Sequence, residues 1–261
     1  MTSVFIDELD ASTYAAYAAR PGSTLIIPTG ATEQHGPHMP LGVDAMLSKD
    51  IAAAVAQKLG ALVAPGFSYG YKSQPRSGGG NHRTGTTSLG ATALMALTED
   101  VVSSFMTQGF ENIVVLNGHF ENYQFLYEGI DNATAKMRSA GSRARAVLLS
   151  YWDFVDDDTL ARVFPEGFLG WDIEHGGVLE TSLMLLLRPH LVDMSRVENH
   201  PPATLTAYDI FPEDPARTPD SGCLSSATGA TADRGQLLLD AITGSIAHAL
   251  RGELAEPSVL T

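Results

Sequence analysis

Short apolar runs alternate along the chain with longer stretches in which apolar residues recur at helical spacing. The apolar runs predict four strands, at residues 24–28, 61–65, 112–116 and 144–150. The stretches between them predict helices at 45–59, 92–108 and 122–138. Strands that alternate with helices are typical of parallel sheets joined by crossover helices. The pattern therefore predicts an α/β fold, a single-domain layered α/β/α sandwich with a mostly parallel sheet, over residues 1–261.

The C-terminal part of the chain contains two contrasting stretches. Leu238, Ile242, Ile246 and Leu250 recur at every fourth position, which predicts an amphipathic helix over 234–254 that closes the core. The stretch 199–226 is rich in Pro, Asp and Thr and predicts an extended surface segment. Such a segment can wrap a neighbouring subunit or lie as a long ordered loop on its own chain, and the sequence favours neither.

Composition excludes several classes of function. The net charge of −14 opposes binding to a phosphate backbone or an anionic membrane surface, so we expect no nucleic-acid or membrane partner. The first residues are acidic where a signal peptide needs a basic start, and no apolar run approaches ~20 residues, so we expect a cytoplasmic protein. Cys223 is the single cysteine, and any metal site must therefore use histidine and carboxylate ligands.

Histidine and carboxylate residues follow two of the predicted strands. Glu33, His35 and Asp44 come after the first strand, and His119 and Glu121 come after the third. Residues two apart in extended backbone project to the same side, and the carboxyl ends of neighbouring parallel strands share one edge of a sheet. The five side chains could then converge on two divalent ions bridged by Asp44. Mixed imidazole and carboxylate ligands favour zinc or manganese.

Each of these residues also has a purely structural interpretation. Asp44 could cap the following helix, Glu121 could lie in a first helical turn, and His119 alone could be a hydrogen-bonded loop histidine. Their occurrence together at two strand ends favours the metal site. His38 is interpreted as structural or as a neighbour of the ligands, and His248 as structural.

A third cluster lies in the stretch GWDIEHGGVLETS, which starts at residue 170. Its chemically distinctive residues are Trp171, Asp172, Glu174, His175 and Glu180. A histidine beside carboxylates is a suitable proton carrier near neutral pH, although the same residues could form an ordinary helix entry. Trp152 and Trp171 could fill the core or form a flat wall for a planar ligand.

The glycine-rich stretch 73–88 is a further loop that could border a pocket. It lacks the glycine spacing of a P-loop or a dinucleotide-binding motif, so phosphate binding is not expected. A plain connecting loop is the simpler interpretation. Within it, Ser77 and the backbone amides are the groups that could face a ligand.

Taken together, the three clusters resemble the creatininase family of metal-dependent amidohydrolases. The matching features are Glu33-x-His35-Gly36, Asp44, NGHFEN and GWDIEHGG, and further matches without metal ligands are SYWDF, FPEGFLG and HPPAT. The likeness extends from about residue 24 to the C-terminal helix. It implies a homohexamer of α/β subunits with two Zn²⁺ or Mn²⁺ ions each. The implied activity is reversible hydrolysis of the cyclic amide of creatinine to creatine.

The resemblance also implies a role for each matching residue. Glu33, Asp44 and His119 would hold one ion, and His35, Asp44 and Glu121 the other, with Asp44 as the bridge. Water activated by the metals would attack the ring carbonyl.

Catalysis is expected of His175, Glu121 and Glu174, with His175 as a proton shuttle oriented by Glu174 or Glu180. The substrate pocket is expected to be lined by Ser77, Phe120, Trp152, Trp171, Asp172 and Glu180, with Trp171 on a mobile loop. Phe120 occupies a position where the family carries Tyr, so a hydroxyl contact would be lost and affinity would change more than chemistry.

Two alternatives remain at this stage. The first is hydrolysis of another amide within the same family, such as a heterocyclic formamide or a cofactor-precursor peptide; a small ring needs a narrow aromatic slot, whereas a peptide needs an open groove. The second is a non-catalytic metal-binding assembly protein, in which metal removal would lower stability without abolishing a reaction.

Overall fold

In the part of the chain that the structure describes, the central sheet contains four parallel strands in the order β2-β1-β3-β4. The computed structural model describes residues 3–255. The strands are β1 Thr24–Thr29, β2 Leu62–Val63, β3 Asn112–Asn117 and β4 Arg145–Ser150. The α/β class and the parallel sheet are thus confirmed. The strand predicted at 61–65 is only two residues long because it lies at the sheet edge and runs into Pro65, which cannot donate a backbone hydrogen bond.

Seven helices surround the sheet within the described residues. They are α1 Ala11–Ala18, α2 Val43–Leu59, α3 Ala91–Thr107, α4 Tyr123–Ser139, α5 Asp157–Val163, α6 Val178–Leu187 and α7 Ala232–Ala255. The four predicted helices correspond to α2, α3, α4 and α7. The periodicity missed α6 because its sequence, VLETSLMLLL, is apolar on nearly all sides.

Alternate strand residues face two separate hydrophobic cores. Leu25 and Ile27 of β1 pack into a core with α1, α3 and α4, whereas Ile26 packs into a core with α2, α6 and α7. This alternation follows from the two-residue repeat of a strand. Because both faces of the sheet are covered by helices, the predicted α/β/α sandwich is confirmed, and the strand ends at one edge remain available for a site.

The stretch 199–226 is only partly the surface segment that its composition predicts. Tyr208 and Phe211 are 60% and 83% exposed, but Cys223 and Leu224 are buried. The surface prediction is wrong for this last part, since the Leu224 amide donates to the His175 carbonyl at 3.0 Å and so packs the segment behind a predicted site residue.

In the described part of the chain, no helix combines the length and the apolar character that a membrane crossing would require.

Candidate active site

Strand pairing brings the predicted metal ligands to one edge of the sheet. β1 and β3 pair in parallel over their whole length, so the loops that follow them leave the sheet side by side. The first of these loops carries Glu33 and His35, and the second carries His119. Asp44 lies in the first turn of α2, which starts at Val43, and reaches the same edge of the sheet from there.

Four of the five predicted ligands, together with Glu180 of α6, form a buried group that we term the metal cluster: Glu33, His35, Asp44, His119 and Glu180. His119 Nδ1 lies 3.0 Å from both Glu33 Oε2 and Asp44 Oδ2. His35 Nε2 lies 2.9 Å from Asp44 Oδ1 and 3.6 Å from Glu180 Oε1. Two triads share Asp44, one with Glu33 and His119 and one with His35 and Glu180, and a third group joins Glu33 and His35 to the neighbouring His175.

Both histidines of the metal cluster are oriented by backbone carbonyls. His35 Nδ1 lies 3.1 Å from the Glu33 carbonyl, and His119 Nε2 lies 3.0 Å from the Tyr71 carbonyl, so each of these nitrogens can donate its proton there. The other ring nitrogen of each histidine then faces the carboxylates, where it would bind a metal ion or, without one, carry a proton. A second N–H bond of this kind is the usual support of a metal-bound histidine.

Several polar atoms of the metal cluster lack a partner, and this tests whether a metal fits. Among the described residues, Glu33 Oε1, His35 Nε2 and Asp44 Oδ2 are buried without a hydrogen bond. An unsatisfied buried acceptor costs about 1–3 kcal/mol, which a bound cation would offset. Gly78 packs against the same carboxylate. A Cβ at this position would collide with Glu33 Oε1, so the glycine leaves room for that oxygen. The donor set, mixed imidazole and carboxylate, fits zinc or manganese.

The charges of the metal cluster perturb its titration strongly when no cation is bound. Burial by itself lowers the pKa of His35, but Asp44 and Glu180 outweigh it and raise that pKa well above the usual value. Burial likewise lowers the pKa of His119, and Glu121 and Glu33 more than reverse it. The pKa of Asp44 is lowered despite its burial, chiefly by His35. Protons and metal ions therefore compete for the same nitrogens.

Glu121 lies beside the metal cluster and has other partners. Its Oε1 accepts hydrogen bonds from Ser77 Oγ at 2.7 Å and from the Gln74 amide at 2.8 Å, and its Oε2 lies 3.4 Å from His119 Nε2. Among the described residues it belongs to none of the metal-binding triads. Its buried carboxyl has a raised pKa, mainly because of desolvation.

His175 lies next to the metal cluster, and its ring contacts a residue that the sequence did not single out. The Nε2 atom of His175 lies 2.9 Å from the backbone carbonyl oxygen of Gln34 and 3.2 Å from the side-chain Nε2 of Gln34. It also lies 3.7 Å from Glu33 Oε1. Glutamine is neither a metal ligand nor an acid, so no motif points to it. The surrounding motif, Glu33-x-His35, was the available signal.

Glu174 and Glu180, expected to orient His175, instead make other contacts. Glu174 accepts from the Leu179 amide at 2.6 Å and from Ser225 Oγ at 3.3 Å, and burial raises its pKa to about 7. Glu180 Oε2 accepts from the Gly176 amide at 2.7 Å, and its other oxygen faces the metal cluster. These carboxylates therefore stabilise the loop around His175.

A small pocket of about 50 Å³ opens over the metal cluster. One side is an aromatic wall, which we define as Phe120, Trp152 and Trp171. Phe120 and Trp152 are stacked with ring centroids 6.1 Å apart and an interplanar angle of 24°. Tyr151, which sequence analysis did not select, also lines the pocket.

Of the residues predicted to bind substrate, the structure places all but Asp172 along this pocket, and their role in binding stays a prediction. The polar lining includes Ser77, Glu121, Glu174, His175 and Glu180. Asp172 is exposed and does not belong to the lining in the described structure. It lies on the short 3-10 turn Trp171–Ile173, so its side chain faces solvent although its neighbour Trp171 faces the pocket.

The α/β/α fold and the buried two-triad cluster at its strand ends define a metal-binding α/β enzyme scaffold. Comparison with known proteins narrows this class. The family profile described as Creatininase, creatinine amidohydrolase, matches residues 7–250. The chain belongs to the creatininase family.

Individual relatives agree with this assignment. The chain is 51% identical to a creatinine amidohydrolase of Pseudomonas putida over 253 residues, which cover 96% of this chain and 97% of the relative. Among solved structures it is similar to a manganese creatininase, with 50% identity, a TM-score of 0.95, and coverage of 97% of this chain and 100% of the other. A Zn–Zn form of a creatininase variant has the same identity and TM-score, and covers 97% and 99%. A creatininase variant complexed with creatine is 50% identical, with a TM-score of 0.94 and coverage of 97% and 100%.

Proposed function

We propose that this protein is a metal-dependent hydrolase that opens the cyclic amide of creatinine to give creatine, reversibly, with two Zn²⁺ or Mn²⁺ ions. The observation that carries the proposal is the set of buried, unpartnered atoms Glu33 Oε1, His35 Nε2 and Asp44 Oδ2, which converge beneath a small aromatic pocket. Membership of the creatininase family, the creatinine amidohydrolase relative and the zinc, manganese and creatine forms of similar proteins support it.

The two triads are the proposed ion sites. Glu33, Asp44 and His119 would hold one ion, as the resemblance implied, and the geometry favours Glu180 over Glu121 as the third residue that would hold the other ion beside His35 and Asp44. The three ligand carboxylates place negative charge against the two cations in either assignment. When bound, such ions polarise a carbonyl and make water more acidic.

Glu121 then has a different role in the proposed reaction. With Ser77 and the Gln74 amide fixing one of its oxygens, Glu121 holds the polar side of the pocket beside His119. A carboxylate in this position can accept a hydrogen bond from substrate or water.

Hydrolysis breaks the ring C–N bond, forms a C–O bond with water, and delivers a proton to the departing nitrogen. His175 is the proposed carrier of that proton, since it lines the pocket next to the metal cluster and an imidazole exchanges protons near neutral pH. The aromatic wall orients the planar ring and excludes water from it.

The size of the pocket favours a small substrate over a peptide. A void of about 50 Å³ lined by three large aromatic side chains is small for a peptide chain and offers flat surfaces to a planar ring. A peptidase of the same family would need an extended groove. A non-catalytic metal-binding protein would not need a pocket lined by His175 beside the metal cluster, so the pocket favours an enzyme.

Creatine formation from creatinine is the decisive measurement. We expect turnover in the metal-replete protein, none after chelation, and recovery after addition of Zn²⁺ or Mn²⁺. Circular dichroism of the chelated sample checks that the fold persists. A metal-replete protein that forms no creatine would disprove the substrate assignment, and activity that survives complete chelation would disprove metal dependence.

A homohexamer is proposed as the assembly. The exposed aromatic side chains of Tyr208 and Phe211, at 60% and 83% exposure, support burial of this part of the chain against another subunit. Light scattering after gel filtration should give about six times the chain mass of 27.7 kDa, and a different multiple would contradict the proposal. A cytoplasmic location is also proposed and can be checked by cell fractionation.

A further inference from the structure

Gln34 is an uncharged polar residue that connects the metal cluster to the proton carrier. It lies between the ligands Glu33 and His35 in sequence and is 8% exposed. Its backbone carbonyl lies 2.9 Å from His175 Nε2, within hydrogen-bond distance. Neither a charge nor a metal-binding atom explains why a glutamine should occupy this buried position.

The side-chain amide of Gln34 is held from both ends. Its Oε1 accepts from the Gly36 amide at 3.0 Å, and its Nε2 donates to the Gly222 carbonyl at 2.8 Å. This pattern defines which end is oxygen, because the reverse orientation would place an NH₂ group against an N–H donor. The side chain therefore ties the loop after β1 to the segment 222–224.

The segment 222–224 also holds His175 from behind. The Leu224 amide donates to the His175 carbonyl at 3.0 Å. The fit of this segment against Gln34 is close, since a Cβ on Gly222, whose φ is +82°, would collide with Gln34 Oε1. Both the ring nitrogen and the backbone of His175 are thus positioned through contacts that meet at Gln34.

We propose that Gln34 is a positioning residue for His175. In this proposal the backbone carbonyl and the side-chain NH₂ group of Gln34, 2.9 and 3.2 Å from His175 Nε2, fix the imidazole ring, and the clamp between Gly36 and Gly222 keeps both groups in place. This proposal rests on the proposed function, because the kinetic part of its test measures creatine formation.

The test compares Gln34→Met, which keeps the length of the side chain and removes its hydrogen bonds, with His175→Ala and with the double variant. We expect Gln34→Met to keep both ions, to lower kcat by about 10- to 100-fold through misplacement of the ring, and to leave KM nearly unchanged. In the His175→Ala background the same change should cause no further loss, because Gln34 acts through His175. Gln236→Met, on the exposed surface of α7, is the matched control.

Three results would overturn the proposal: an unchanged kcat, an equal loss in both backgrounds, or loss of metal from Gln34→Met. A merely structural role would produce the equal loss. A crystal structure of metal-loaded Gln34→Met gives a readout that is independent of turnover: we expect the His175 ring to leave its position, and an unmoved ring would contradict us. If the parent protein forms no creatine, the proposed function fails and this structural comparison alone decides the role of Gln34.

Discussion

The metal cluster and the aromatic wall face each other across the pocket, and they are built in different ways. Three ligands of the metal cluster follow paired central strands, a fourth opens α2, and Glu33, His35, Asp44 and His119 are each at most 3% exposed. Every residue of the aromatic wall lies instead on a short 3-10 turn, and Phe120 is 43% exposed.

This difference separates chemistry from recognition. Displacing a ligand of the metal cluster means disturbing a sheet edge or a helix start and leaving buried charge unpaired, which is costly. Single-turn 3-10 helices have poorer hydrogen-bond geometry, and their side chains can change without loss of the core. We therefore expect substitutions in the metal cluster to abolish the reaction and substitutions in the wall to adjust affinity.

The largest effect should follow Asp44→Asn, because Asp44 is shared by both triads. Metal ions supply several kcal/mol to such reactions, so activity should fall by roughly 10³-fold or more, with loss of bound metal. Turnover and metal analysis on the same sample measure this. Asp131→Asn, on the exposed face of α4, is the control. Retention of both ions and of activity would show that Asp44 is only a helix-start residue.

His175→Ala should have the next largest effect. His175 lies in the pocket between the metal cluster and the aromatic wall, so this variant tests whether a residue outside both takes part in the chemistry. Loss of the proton carrier should lower kcat by about 10²- to 10⁴-fold, while both ions stay bound. Creatine formation and metal content are again the measurements, with His248→Ala on the surface of α7 as control. Full activity in this variant would exclude the proton-carrier role.

A pair of isosteric changes decides which carboxylate completes the second triad. Glu180→Gln should leave one ion per chain after dialysis, because Glu180 Oε1 lies 3.6 Å from His35 Nε2. Glu121→Gln should retain two ions and lower activity by a smaller factor, since Glu121 belongs to neither triad. Metal analysis of the two variants side by side gives the answer. The reverse pattern would return Glu121 to the ligand set that the sequence predicted.

Phe120→Tyr should have the smallest effect and tests the aromatic wall. The added hydroxyl can restore one hydrogen bond to the substrate, worth about 0.5–1.5 kcal/mol, so KM should fall by up to about tenfold with kcat unchanged. Steady-state kinetics measure both constants, and Tyr127→Phe on the exposed surface of α4 is the control. A change confined to kcat would mean that the wall takes part in chemistry.

Local sequence patterns predicted most of the strands and helices and several of the residues that meet in the site. The period of the apolar residues indicated the parallel strands and the four long helices, because strand and helix repeats are properties of neighbouring residues. Helix α6 was missed, since a segment that is buried on nearly all sides has no polar face to reveal its period. Glu33, His35 and Asp44 were recognisable because a short motif brings them together along the chain.

Tertiary structure alone decided the rest. Glu180 reaches His35 only because α6 packs in the same core as α2, and Gln34 reaches His175 and Gly222 only when distant loops fold over the end of β1. The sequence by itself determined which residues could bind a metal. That ability depends on side-chain chemistry and on the spacing of residues that are close together in the chain. Which carboxylate faces which histidine depends on contacts between segments far apart in the chain, and packing sets those contacts.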